Sequence, residues 1–281
     1  MFVRSDALLA KPSETRSLHV LSFDWHGFEP RVIAWDSALS KVVEVDIWNL
    51  NMCVTTSRHC VGSFDDEDYF PCPTARRING PFAQCQSCAG PYIPIQQCTF
   101  EPRCDGTLCA SKFCSREHAV YVAFHGAMAK VGMCGKHRVE PRLIEQGADA
   151  YALVAMLPNR LEARRLESAI SKELKVRQRV LSKEALANYV ASPPWQVIDE
   201  RWVELGERIG AKTGSPPEKL TRLDRYPLAQ PLAASPRLRE TIGPHEGKVL
   251  GIKGRYLVYE NEGLNALDLS DLPARVVKIN N

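Results

Sequence analysis

Eight cysteines crowd between positions 60 and 114: Cys60, Cys72, Cys85, Cys88, Cys98, Cys104, Cys109 and Cys114, with His118 close behind. Thiolates at such short separations can converge on a metal ion, and tetrahedral zinc takes four sulfur or nitrogen ligands. Cys85 and Cys88 are the sharpest pair, because a two-residue gap lets both sulfurs bind one ion from a single turn. Cys60, in His59-Cys-Val-Gly62, and Cys72, in Pro71-Cys-Pro73, are their natural partners in a first site. A second site draws four ligands from Cys98, Cys104, Cys109, Cys114 and His118, and the spacing does not choose which four. A cross-braced arrangement, with members exchanged between the sites, is also open. About two structural Zn²⁺ ions per chain are therefore expected, holding the fold and not doing chemistry, since a closed four-ligand site has no open position. Cys53 and Cys134 stand apart and read as buried free thiols.

The rival readings of these cysteines are a disulfide framework and an iron–sulfur cluster. Disulfide frameworks belong to small secreted domains. This chain has 281 residues, and its start, MFVRSDALLAKPSETR, carries an apolar run of only Ala7 to Ala10, too short for the core of a secretory signal. No stretch approaches the ~18 apolar residues that span a bilayer. The expectation is a reduced, cytoplasmic protein with no membrane segment.

A second group of residues has the types needed for phosphoryl chemistry. Tyr121, Lys130, Gly132, Arg142 and Glu167 follow one another in a basic stretch. A divalent ion, Mg²⁺ or Mn²⁺, on Glu167 would polarise a phosphate and hold its leaving oxygen. Arg142 would stabilise developing charge through a bidentate contact. Tyr121 would position or deprotonate an attacking water, and Lys130 would help as phosphate ligand or base if burial lowers its pKa. The net charge is only +3, but residues 128–183 hold twelve Lys and Arg against six Asp and Glu. Lys130, Arg138, Arg142, Arg165, Lys172, Lys175 and Arg179 are the candidates for contact with DNA or RNA, the last four spaced 7, 3 and 4 apart as a basic helix face. Plainer roles exist for the same residues: Tyr121 in a core, Arg142 on the surface, Glu167 paired with Arg164 or Ser171 along a helix.

The elements that must position these groups alternate in type. Residues 17–48 read as three short strands (Leu18 to Phe23, Arg31 to Trp35, Val42 to Trp48). Residues 51–118 are rich in Cys, Pro and Gly, show little periodicity and need metal to organise them. Strands follow at Ala119 to Phe124 and Ala129 to Met133, then a short helix from Glu140 stopped by Gly147, a strand from Ala150 to Leu157, and a helix from Leu161 to about Lys175 with the apolar face Leu166, Ala169, Ile170 and Leu174. Residues 182–212 are helical, broken at Ser192-Pro-Pro194, with Trp195, Ile198, Trp202, Leu205 and Ile209 as a packing stripe. After a linker at Gly214 to Pro217 come strands at Lys248 to Ile252, Arg255 to Tyr259 and Ala274 to Ile279. The fold class is α+β, in five segments: N-terminal strands (1–50), a zinc-binding module (51–118), a central α/β domain (119–180), a helical connector (181–215) and a β-rich C-terminal segment (216–281).

Ala119-Val-Tyr121, Lys130-Val-Gly132, Arg142 and Glu167 in this order of elements resemble the GIY-YIG nuclease superfamily over residues 119–175. The Cys-rich half, Glu145-Gln-Gly-Ala148, Leu166-Glu167 and Gly251-Ile-Lys-Gly-Arg-Tyr-Leu257 extend the resemblance to an uncharacterised prokaryotic family that joins a zinc-binding half to a GIY-YIG-like domain. The resemblance implies a metal-dependent endonuclease with Tyr121, Lys130, Arg142 and Glu167 as catalytic residues and Glu167 as ligand of the divalent ion. Lys130 stands where the superfamily has its second Tyr, and no Asn follows Glu167 before Asn188. Three functions are thus expected in turn: a zinc-stabilised nuclease, a GIY-YIG-like module that binds nucleic acid without cutting it, and a protein scaffold using the Trp195 and Trp202 helices and the β tail.

Overall fold

The computed structural model describes residues 15–65, 68–89, 111–214 and 216–279. Four strands open the chain: β1 (Arg16–His26), β2 (Glu29–Asp36), β3 (Lys41–Glu44) and β4 (Asn49–Arg58). β3 is shorter than its sequence pattern: Val45, whose amide donates to the Val32 carbonyl at 2.8 Å, and Ile47 are buried beyond its end, and Trp48 is exposed. β4 is the larger difference, because it runs into the segment expected to lack periodicity. Leu50, Met52 and Val54 alternate inward along it, a period-two pattern that the neighbouring Cys53 and the Thr55-Thr-Ser57 run obscured. The small hairpin of β5 (Ser63–Asp65) and β6 (Asp68–Phe70) follows.

The middle of the chain matches its sequence pattern closely. β7 (His118–His125) and β8 (Met128–Gly135) form an antiparallel hairpin, α1 (Val139–Gln146) follows, β9 (Ala150–Leu157) pairs with β7, and α2 (Arg160–Leu174) covers the sheet. Gly147 ends α1 as its left-handed cap. α2 starts at Asn159, whose side chain accepts from the Glu162 amide at 3.0 Å while its own amide donates to the Glu162 carboxylate at 2.9 Å. Its buried side is Arg160, Ala163, Glu167 and Ile170, so Glu167 lies inside the packed face. The helix stops at Leu174, which puts Lys175 and Arg179 beyond it. The four cations expected on one helix face are therefore split between α2 and the chain that leaves it.

Then come α3 (Ser182–Ala187), α4 (Trp195–Thr213) and β10 (Thr221–Arg222), which extends the second sheet in the order β10-β9-β7-β8. Ile198, Trp202, Leu205 and Ile209 are buried and Trp195 packs beside them, against Val120, Val122, Phe124 and Ile170. Each of the fully buried isoleucines adds roughly 1.5–3 kcal/mol of burial free energy.

β11 (Arg237–Leu238), β12 (Gly243–Lys253), β13 (Tyr256–Glu260), β14 (Leu264–Asp268) and β15 (Arg275–Ile279) close the chain. They do not form a separate C-terminal unit. One nine-stranded sheet runs β11-β14-β13-β12-β4-β15-β1-β2-β3, so strands from both ends of the chain interleave. β4 is flanked by β12 and β15, with Met52 opposite both His245 and Ile279. The two sheets share a core: Tyr121 of β7, with Leu143 and Ile144 of α1, packs with Val20, Trp25, Leu257 and Leu267 of the large sheet. The segments expected as five units are in this way tied together by strand exchange and by one apolar interior.

Candidate metal centre and a buried polar constellation

Cys60, Cys72, Cys85 and Cys88 converge, with all four sulfurs within 4.8 Å of one another. Tetrahedral bonds of about 2.3 Å would place sulfurs ~3.8 Å apart, so small shifts complete a Cys₄ cage. The backbone builds this cage. The end of β4 is knitted to the following loop by Cys60 N–H to Arg76 O at 2.8 Å, Val61 N–H to Ala83 O at 2.9 Å and Ile78 N–H to Arg58 O at 2.9 Å. Cys85 and Cys88 share one turn, with Cys88 N–H on Cys85 O at 3.1 Å. Two amides aim at the Cys60 sulfur, from Cys85 at 3.1 Å and Gly62 at 3.4 Å. Such donors stabilise a thiolate, as does the Arg76 amide that holds the Cys72 thiol below its ordinary range.

Gly62 is the residue that permits the approach. It adopts φ +77°, and a Cβ there would stand 2.2 Å from the Phe70 carbonyl and 3.0 Å from the Cys72 amide. The loop carrying Cys60 can pass the strand leading to Cys72 only because position 62 has no side chain. Val61, Tyr69 and Ala83 then seat the module on Leu21, Ile33, Trp35 and Ala274 of the large sheet. Burial, with the Cys60, Cys72 and Cys88 thiols close by, pushes the Tyr69 hydroxyl up to about 12.

Of the five groups expected at a second site, Cys98, Cys104 and Cys109 lie outside the described residues. Cys114 and His118 are both buried. His118 directs Nδ1 to the Arg116 carbonyl at 2.9 Å, which leaves Nε2 buried without a hydrogen-bond partner among the described residues. Burial lowers its pKa, favouring the neutral ring. A ligating imidazole typically anchors its other nitrogen in this manner. Cys53 and Cys134 are free thiols and are half-buried, less enclosed than their sequence context implies.

The second constellation assembles around α1 and the β7–β8 hairpin. Tyr121 on β7 and Gly132 on β8 are register partners, and the tyrosine ring occupies the room a side chain at 132 would need. Gln146, on the last turn of α1, joins two of the expected residues: it hydrogen-bonds the Tyr121 hydroxyl and its Oε1 accepts from Lys130 Nζ. Sequence reasoning missed Gln146, although it lies four residues after Arg142 and so on the same helix face. Arg142 and Glu167 are close enough for their charges to act on both Tyr121 and Lys130. Burial pushes the tyrosine well above the ordinary phenol range. Burial, then the Arg142 charge, brings Lys130 down to about 8, against the opposing pull of Glu167.

The four expected catalytic residues are therefore neighbours, but the site is closed. Tyr121 is 1% exposed and Glu167 6%. The Glu167 carboxylate is held by Arg164 at 2.5 Å, the pairing along α2 that the sequence offered as its plainer role. Arg142 is exposed and bridges Glu145 at 3.7 Å, while Arg138 reaches the same carboxylate at 2.6 Å. Neither Tyr121 nor Glu167 lines the two grooves at the β11 and β8 edges. One groove of about 590 Å³ lies instead beyond the β8 edge, where Lys175, Arg177, Arg201 and Arg208 face Glu200 and Glu204. Arg165, Lys172, Lys175 and Arg179 are all exposed.

With the Cys₄ cage, the hairpin and the two helices in place, the sequence can be compared with known families. Residues 42–272 match a family described as protein of unknown function, DUF2797. The chain belongs to the DUF2797 family. The match runs from within β3 to Leu272, three residues before β15, so it takes in the Cys₄ cage, the Tyr121 constellation and most of the large sheet. Comparison with curated proteins and with solved structures gives no match. Among the described residues, no helix of this DUF2797 member is long and apolar enough to cross a membrane.

Proposed function

We propose that this chain is a zinc-stabilised nucleic-acid-binding protein whose GIY-YIG-like domain serves recognition without cleavage. The observation that carries the reading is the closure of the Tyr121 constellation. Tyr121, Lys130 and Glu167 have internal partners in Gln146 and Arg164, and a divalent ion on the buried Glu167 would have to displace the Arg164 guanidinium. Meanwhile the cations in and around this domain face outward: Arg138, Arg142, Arg165, Lys172, Lys175 and Arg179, with Arg177, Arg201 and Arg208 along the adjoining groove. Exposed cations of this number suit phosphate contacts, which dominate non-specific affinity for DNA and RNA.

Zinc is the metal the donor set favours, since four thiolates in a closed tetrahedral cage are its structural signature. A second zinc on Cys114, His118 and two of Cys98, Cys104 and Cys109 is supported by the unpartnered Nε2 of His118. Thiolate sites of this kind persist in a reducing, cytoplasmic setting.

Nuclease activity is the second reading, favoured by the shared electrostatic neighbourhood of the four residues and by Lys130. A lysine with a pKa near 8 beside a tyrosine, an arginine and a glutamate has the perturbed titration found at catalytic sites. In that reading Mg²⁺ or Mn²⁺ binds Glu167 after Arg164 swings away.

One experiment separates the two. Branched, single- and double-stranded DNA and RNA are offered with Mg²⁺ or Mn²⁺ to the wild type and to Glu167→Ala. Binding that weakens steeply between about 50 and 200 mM salt, with no product, supports recognition. Cleavage by the wild type alone would replace it with the nuclease. Binding that ignores salt, or none at all, would remove both and leave the scaffold reading.

A further inference from the structure

The far edge of the nine-stranded sheet carries a second polar cavity, of about 330 Å³, remote in the chain from the Tyr121 constellation. Strand register builds it. Arg237 on β11 is opposite Asn265 on β14, and Asn265 is opposite Tyr259 on β13, so the three form one row across the sheet. Arg239 lies two residues after Arg237 and therefore on the same face. Both arginines are exposed, line the cavity and make no ion pair among the described residues. Two guanidiniums held side by side at a cavity wall repel each other, an arrangement that an oxyanion between them relieves with up to four charge-assisted hydrogen bonds.

The floor is fixed from behind. His245 Nε2 lies 3.0 Å from the Thr241 carbonyl and must donate to it, so Nδ1 accepts from the Tyr259 hydroxyl at 3.2 Å. Asn265 spends its amide on the Asn261 and Gly263 carbonyls at 2.8 and 3.0 Å. These residues shape the cavity, and the guanidiniums, with the Ser235 hydroxyl that also lines it, are left as its side-chain donors. Glu246 and Glu262 also line it. They would repel a long polyanion passing over the cavity, but leave room for one compact group against the arginines.

We propose that Arg237 and Arg239 form a binding site for a single compact oxyanion, the phosphate or carboxylate head of a small molecule. It is tested by calorimetric titration with inorganic phosphate, acetate and adenosine monophosphate on the full chain. The expected result is binding of at least one probe, weakened about tenfold or more in R237Q/R239Q. Lys41→Gln removes a cation from β3 at the opposite edge of the sheet and should bind the same probe within about twofold of wild type. Tighter binding of the mononucleotide assigns a phosphate ester, and tighter binding of acetate a carboxylate. No binding of any probe, equal affinity in R237Q/R239Q, or an equal loss in Lys41→Gln overturns the proposal. So would a matching loss of oligonucleotide affinity in R237Q/R239Q, which would make the cavity part of the nucleic-acid surface.

Discussion

Tyr121 and Gly132 face each other across the β7–β8 hairpin, and the tyrosine ring fills the space above the glycine: a Cβ at 132 would stand 2.8 Å from both the Tyr121 hydroxyl and its Cζ. The glycine of the Lys130-Val-Gly132 triplet thus has a packing reason independent of catalysis. Gly132→Ala should cost about 1–3 kcal/mol through overpacking, and adding Tyr121→Leu should recover part of that loss. Denaturant midpoints of the four proteins in the cycle measure the coupling. Additive effects would mean that the ring does not lean on position 132.

The Cys₄ cage should control the folding of its module. Cys85→Ser or Cys88→Ser should lose one equivalent of zinc by native mass spectrometry, and strong chelation should unfold the residues around β5 and β6. His118→Ala should leave that equivalent in place and remove a second one. Metal-free wild type, purified under reducing conditions, would refute the metal assignment.

Lys253 and Asp149 form a salt bridge with both side chains about 5% exposed or less. Asp149 also accepts from the Gly126 amide at 2.6 Å, and Lys253 donates to Gln230 at 2.8 Å. The pair joins the β7–β8 turn to the β12–β13 turn, and so one sheet to the other. Asp149→Leu or Lys253→Met alone should cost about 3–5 kcal/mol, because each leaves a buried charge without its partner. The double variant should be clearly more stable than the sum of the singles predicts. Strict additivity in thermal or denaturant unfolding would show that the pair does not act as a unit.

Two buried groups make stability depend on pH. His125 is held down to about 3, first by burial and then by the Lys130 and Lys253 charges. Between that value and the unfolded value of about 6.5, only the unfolded chain takes the proton, so stability falls as pH drops through this window. Lys130 sits near 8, below the unfolded value of about 10.4. From about 8 to about 10.4 the unfolded chain again holds the extra proton, so this residue's contribution rises with pH. His125→Leu should flatten the acid limb and Lys130→Met the alkaline one, read from unfolding free energy against pH. Unchanged limbs in both variants would place the pH dependence elsewhere.

A nucleic-acid surface makes a further demand on the exposed cations. Lys175→Ala and Arg208→Ala should each weaken binding by a similar factor on every sequence tested and lower the salt slope by about one. Sequence-dependent losses would point to base contacts instead.

The sequence by itself determined the local elements and the cysteine cluster. The hairpin of β7 and β8, Gly147 as the stop of α1, the α2 helix and the apolar stripe of α4 all follow from periodicity and capping, which act within a few residues. Cys60, Cys72, Cys85 and Cys88 were legible as a group because thiols so close in the chain can converge on one ion. Tyr121, Lys130, Arg142 and Glu167 were legible as a set only through the resemblance to the GIY-YIG superfamily that their order carries. Only the tertiary structure decided what surrounds them: Gln146 bridging Tyr121 and Lys130, Arg164 sealing Glu167, and the cations after Leu174 leaving the helix face. It also decided that β4, β12 and β15 interleave in one sheet. Strand pairing between residues some 200 positions apart, such as Met52 with His245 and Ile279, leaves no mark on either strand alone, since a strand's pattern records which face is buried and not which partner lies beside it.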